Sequence, residues 1–115
     1  MADNVTPMRR PINWNRLRLD EAEGLIRSRS RPDKTGNVIF TNHAEERMEE
    51  RGITRHQAMT VLRGGQCSTP KLNDKGDWEV LVSKKIAGSR DVGVATVIVT
   101  DNDQLIVKTV EWVDP

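Results

Sequence analysis

The sequence predicts an α+β domain in which two short helices pack on an antiparallel β-meander of roughly three to four strands, preceded by a basic arm and an extra helix. Two observations carry this. Up to Gly65 the apolar residues recur at helical spacing, whereas beyond it they fall into β-branched, strand-like runs. The connections in the second half are short and rich in Gly and Asp, as between antiparallel neighbours. At 115 residues the chain suffices for one core and not for two.

Residues 1–16 mix Pro7, Pro11 and several Asn and Arg with little periodicity and read as an arm or loop. After Leu17, the residues Leu19, Ala22, Leu25 and Ile26 recur at helical spacing. Asp20, Glu21 and Glu23 come early in that segment, and Arg27, Arg29 and Arg31 late. Acid first and base last suits the helix dipole, predicting a helix from about Leu19 to Ser28. Pro32 ends it, and Asp33-Lys34-Thr35-Gly36 forms a turn. Residues 1–36 thus make a basic arm and helix, and residues 37–115 the α+β domain.

Val38-Ile39-Phe40 is a short apolar run with strand character. Either Thr41 or Asn42 caps the next helix, Asn42 having capping-box spacing to Glu45; Ala44 and Met48 face inward, and Gly52 supplies the stop. Thr54 with Gln57 forms a second capping box, with an Ile53–Ala58 staple. Ala58, Val61 and Leu62 make the buried stripe of that helix, and Gly64-Gly65 closes it. The two helices fall at about 42–51 and 54–63, and the sheet mostly within 76–113. Its strands are the runs beginning at Trp78, Val92 and Leu105, separated by turns at 74–77, 88–91 and 101–103.

Composition narrows the function. Apolar residues make up 36% of the chain and charged residues 30%, with a net charge of +1. Residues 1–36 carry +3, residues 37–65 balance, and residues 66–115 carry −2. A protein that binds nucleic acid over its whole surface would be far more basic, so any RNA contact is local. With no Tyr and one Phe, a platform of stacked aromatics lacks material. No apolar run is long enough to span a membrane, and a lone Cys67 cannot form an internal disulfide, which points to the cytoplasm.

The most informative segment is 41–53, Thr-Asn-His-Ala-Glu-Glu-Arg-Met-Glu-Glu-Arg-Gly-Ile. His43, Arg47 and Arg51 are spaced by four, so on a helix they follow one slowly rotating face. That aligns a group able to move protons near neutral pH with two fixed cations. On a phosphodiester, the imidazole would act on a ribose hydroxyl and the guanidinium forks on the phosphate. The plainer alternative is a solvated charged helix whose arginines pair with nearby Glu, with His43 capping backbone groups or packing on the sheet. A second proton carrier is needed; Lys84, Lys85 and Glu79, on or near the first long strand, are the candidates. His43, His56 and Cys67 have no metal-ligand spacing, so neither metal nor cofactor is expected.

A strand lead-in, then His-Ala-x-x-Arg-Met-x-x-Arg-Gly-Ile, a second helix and a meander containing Ile-Val-Lys-Thr-Val together resemble a small bacterial domain of unknown function. That domain is grouped with the barnase, EndoU, colicin-nuclease and RelE/ParE-like ribonuclease folds. The resemblance runs from about Val38 to Trp112 and rests mainly on the signature. It implies helices on a sheet, a RelE/barnase-like arrangement and metal-independent RNA cleavage in toxin–antitoxin systems. Carried over by residue, His43, Arg47 and Arg51 match the signature and would be catalytic, and Thr109 matches the Thr of the final strand. Lys84, Lys85 and Thr109 would contact substrate. RNA and a cognate antitoxin or regulatory protein are the implied partners. The rival expectations are a non-catalytic protein- or nucleic-acid-binding module on the same fold and a mobile-element accessory protein.

Overall fold

A computed structural model describes residues 11–88 and 90–113. The expected arm before Pro11, and Ser89 in the expected turn, lie outside the described residues. Among the described residues three α-helices cover one face of a mixed six-stranded sheet, and a short 3-10 helix, Pro32–Asn37, stands where a turn was expected at 33–36. In chain order the elements are α1 (Leu19–Arg29), β1 (Val38–Phe40), α2 (Asn42–Arg51), α3 (Arg55–Gly64), β2 (Gln66–Cys67), β3 (Lys71–Leu72), β4 (Trp78–Ala87), β5 (Arg90–Ile98) and β6 (Leu105–Trp112).

The helix ends follow local chemistry. Thr41, not Asn42, caps α2 by accepting the Ala44 N–H, and Gly52 ends it in the left-handed region at φ 68°. Thr54 and Gln57 form the expected capping box of α3. Gly65 then lets the end of α3 press on β4, because a Cβ there would stand 2.7 Å from the Ser83 carbonyl oxygen.

β4, β5 and β6 form the expected antiparallel meander, but the sheet is larger than the one predicted. Its order is β1-β6-β5-β4-β2, with β3 also on β4. β1 runs parallel to β6, Val38 opposite Leu105, so the sheet is mixed where an antiparallel one was expected. Parallel partners need a long crossover, and here that crossover is nearly the whole domain.

Alternation assigns the two faces. Val80, Val82, Val94, Ile98, Val107 and Val110 meet Ala44, Met48, Val61 and Leu62 in one buried core. The opposite, open face carries Leu81, Ala95, Ile106 and Ile39, of which Leu81 and Ile39 are exposed. Ala95 pairs with Thr109 but the next residue, Thr96, pairs with Val107, so Lys108 is the extra residue of a β-bulge. The bulge puts Lys108 and Thr109 together on the open face. There the Lys108 Nζ donates to Glu79 Oε2 at 2.8 Å.

The N-terminal part joins the same core. Leu17, Ala22 and Ile26 are buried within it, and Ile12 and Trp14 pack against it. Trp78 donates its indole N–H to the Trp14 carbonyl at 2.7 Å, so residues 11–16, a loop without helix or strand, are held against the core. The arginines of α1 are structural. Arg29 is buried and donates to the Val99 and Gln104 carbonyls at 2.7 and 3.0 Å, tying α1 to the β5–β6 turn. Arg27 donates to the Gly65 carbonyl at 3.1 Å, and Arg63 of α3 to the Ser30 carbonyl at 2.6 Å. Burial lowers the Arg29 pKa, and Asp103 opposes this. Nothing in the local sequence marks the distant carbonyls that these arginines reach.

Candidate functional site

α2 lies along β6 and is pinned to it at both ends. At its start the Thr41 N–H donates to the Val107 carbonyl at 3.1 Å, and the Thr41 hydroxyl to the Lys108 carbonyl at 3.3 Å. At its end the Trp112 indole donates to the Arg51 carbonyl at 3.0 Å. The signature helix therefore presents its side chains from a fixed frame.

A step of four residues overshoots one helical turn by about 40°. Taking buried Ala44 as the inward direction, His43 stands about 100° from it, Arg47 about 60° and Arg51 about 20° on the same side. The burial follows this order. His43 is exposed, while the Arg47 and Arg51 side chains are 41% and 31% exposed. Neighbours along this line are about 6 Å apart in rise, close enough to act on one phosphodiester.

Charge pairing leaves the site accessible. Arg47 Nη1 stands 3.1 Å and Arg51 Nη1 3.7 Å from the same carboxylate oxygen of Glu50, which is itself 61% exposed. One solvated carboxylate thus serves two guanidinium groups, a pairing worth about 0–1 kcal/mol and open to exchange for another anion. Among the described residues the His43 imidazole has no hydrogen bond. Arg55 on α3 is taken up elsewhere, pairing with Glu45 and stacking 4.4 Å over Phe40. His56 is exposed on α3, apart from the α2 line.

The remaining expected residues are not all brought to α2. Lys84 is in the helix-face row of Val92 and Trp112, two strands from β6 and toward the Arg51 end of α2. Lys85 follows it, opposite Asp91, and both line a notch of about 270 Å³ where α3 meets β4. Thr109 is on the open face, separated from α2 by the sheet, because of the bulge at Lys108. Glu79 is on that face as well. Hydrogen bonds from Lys108 and Asn73 hold its carboxyl below the usual glutamate range, while burial opposes them. Cavities of about 500 and 360 Å³ open on the same face around Glu79 and Asn73, and neither is lined by His43, Arg47 or Arg51.

Two residues not expected from the sequence lie beside the α2 line. Arg90 stacks with its guanidinium carbon 4.0 Å from the Trp112 ring centroid, and Trp112 in turn holds the end of α2. A cation two positions from a strand turn carries no local signal of such a partner, and only the β5–β6 register creates it.

Cys67 is half-buried on β2, and burial together with Glu23 pushes its thiol up to about 11 against the opposing Arg27, so it is not a poised nucleophile. Among the described residues no group of three or more His, Cys, Asp or Glu side chains is arranged to hold a metal ion. No described helix is long and apolar enough to cross a membrane.

No curated protein and no solved structure matches the chain. Residues 40–112, from the end of β1 through α2, α3 and the meander to Trp112, match the model of a domain of unknown function, DUF4258. That span contains the pinned α2 helix and the strands that pin it, and the chain belongs to the DUF4258 family.

Proposed function

We propose that the domain cleaves RNA phosphodiesters without a metal ion, using α2, and that it is a relative of the barnase/EndoU/colicin/RelE-like toxins. The observation that carries this is the line of one exposed imidazole and two exchangeable guanidinium groups on a helix pinned at both ends. In this reading His43 exchanges the proton of the ribose 2′-hydroxyl or of the leaving oxygen. Arg47 and Arg51 leave Glu50 for the phosphate and stabilise the charge that builds on it. Lys84 and Lys85 contact the substrate beyond the Arg51 end. Thr109, on the far face, supports the sheet or meets a partner there. A cytoplasmic setting and a controlling antitoxin-like protein belong to the same proposal.

A second reading has its own support. The candidate second proton carriers are not beside His43, since Glu79 is on the open face and bound to Lys108. This favours a non-catalytic binding module on the same fold.

The deciding experiment incubates purified protein with single-stranded RNA between pH 5 and 9, with and without EDTA. Cleavage that survives EDTA and falls by about 10²–10⁴-fold in His43→Ala supports the ribonuclease. RNA left intact at every pH overturns it in favour of the binding module.

A further inference from the structure

On the open face one row of side chains crosses five strands, Ile39–Ile106–Val97–Glu79–Lys71, apolar at one side and charged at the other. Ile106 and Val97 form the floor of the cavity of about 360 Å³. Glu79 stands at its end, about 10 Å from Ile106 by two strand spacings. Thr41 borders the same cavity from the edge of β6, where it caps α2. The Thr41 and His43 Cα atoms are at most about 7 Å apart along the chain, so the rim of the cavity adjoins the start of the α2 line.

The polar end of the cavity is fixed by its own hydrogen bonds. The Glu79 carboxylate accepts from Asn73 Nδ2 at 2.7 Å and from Lys108 Nζ at 2.8 Å, both at Oε2. Its Oε1 has no partner among the described residues. The Asn73 amide is itself locked, because Oδ1 accepts the Lys75 and Asp77 N–H groups, each at 2.9 Å. The Lys108 ammonium has further protons to donate. An unused acceptor and unused donors thus stand side by side at the end of an apolar floor, in a frame set before any ligand arrives.

These features select a ligand by its chemistry. Lys108 already balances the Glu79 charge, so a cation gains little there. Asp74, Asp77 and Glu79 outnumber Lys75 and Lys108 around the cavity, so a phosphate is not drawn in. What fits is a neutral ring with an apolar face for Val97 and Ile106 and adjacent donor and acceptor atoms on its edge. A nucleobase has both, and its pairing edge is free only in a single strand. We infer that this cavity is a nucleobase pocket, in which a base neighbouring the bond placed at His43 lies on Val97 and Ile106 with its pairing edge on Glu79 Oε1 and Lys108 Nζ. This rests on the proposed reading of α2 and narrows its substrate to single-stranded RNA with an unstacked base.

The test titrates the isotope-labelled full chain with the nucleoside 5′-monophosphates of the common bases, and with ribose 5-phosphate as the control without a base, following backbone amide shifts by NMR. At least one nucleotide should shift the amides of Glu79, Val97 and Ile106 at concentrations up to about 10 mM, and ribose 5-phosphate should not. In Glu79→Gln the side-chain oxygen stays with Asn73 and Lys108 and an NH₂ donor faces the ligand where the acceptor stood, so binding should weaken about tenfold. Ile106→Lys puts a charge on the floor and should weaken it several-fold, whereas Ile106→Leu keeps the floor apolar and should bind within about twofold of the unmodified chain. Unshifted amides in the helices show that each variant is folded. The pocket is overturned if no nucleotide shifts these amides, if ribose 5-phosphate shifts them equally, or if the shifts survive Glu79→Gln. It is overturned too if N-acetylargininamide shifts them where no nucleotide does, which would make the cavity a seat for a partner's basic side chain. Cleavage of RNA is measured apart: nucleotide binding without cleavage keeps the pocket and removes the catalyst, and cleavage without nucleotide binding does the reverse.

Discussion

The arginines of α1 and those of α2 have the same chemistry and opposite fates. Arg29 is 7% exposed, and its Nη1 donates to two backbone carbonyls of the β5–β6 turn. Arg47 and Arg51 share one solvated carboxylate. The difference is in what surrounds them. A buried carbonyl without a partner costs more than an exposed one, so a guanidinium that reaches it becomes part of the frame. A guanidinium held only by an exposed glutamate keeps its capacity to bind something else. Arginine count and spacing therefore say little about nucleic-acid binding until the nearby orphan acceptors are known.

That contrast can be broken first at α1. Arg29→Ala leaves the Val99 carbonyl short of a donor and the Gln104 carbonyl with the Val99 N–H alone, opens a void, and should lower stability by about 2–4 kcal/mol in urea unfolding. A loss within error would show that the burial of Arg29 is incidental. The Lys108–Glu79 pair is an intermediate case, with side chains 49% and 27% exposed. Because the Glu79 pKa is lowered in the folded state, the stability it contributes is complete above the unfolded-state pKa of about 4.3 and is lost as pH falls through the lower folded value. Lys108→Met should flatten stability against pH in that acid window and leave it nearly flat at neutral pH; an unchanged acid limb would mean the pair does not hold Glu79. The smallest effect belongs to α2. Glu50→Gln and Arg47→Ala should each change stability by less than about 0.5 kcal/mol, while Glu50→Gln should tighten binding of a single-stranded oligonucleotide. A large stability loss in either would place the α2 arginines with those of α1.

Much of the fold was legible because its signals are local. The Thr54–Gln57 box and the Gly52 stop are chemistry within one turn, and they located α2 and α3 to within a residue. The three meander strands were legible from their β-branched runs. What was not legible depends on partners far along the chain. The parallel pairing of β1 with β6 joins residues 67 positions apart, as Val38 does with Leu105. The single extra residue at Lys108 puts Thr109 on the open face, and no pattern of residue types announces it. For the site, the rotation of His43, Arg47 and Arg51 around α2 follows from helical geometry alone. The hydrogen bond of Arg27, the burial of Arg29 and the stacking of Arg90 on Trp112 do not, since each needs an acceptor or a ring supplied from far along the chain.

The pinning of α2 also sets an order of events during synthesis. β6 is made last among the elements, yet it supplies the Val107 and Lys108 carbonyls at one end of α2 and the Trp112 indole at the other. Until β6 has left the ribosome, α2 is a ten-residue helix with nothing to lie on, shorter than an isolated helix that persists in water. The imidazole and the two guanidinium groups cannot hold their alignment before that moment. A nascent chain is thus kept without a formed site until β6 docks, whatever that site does.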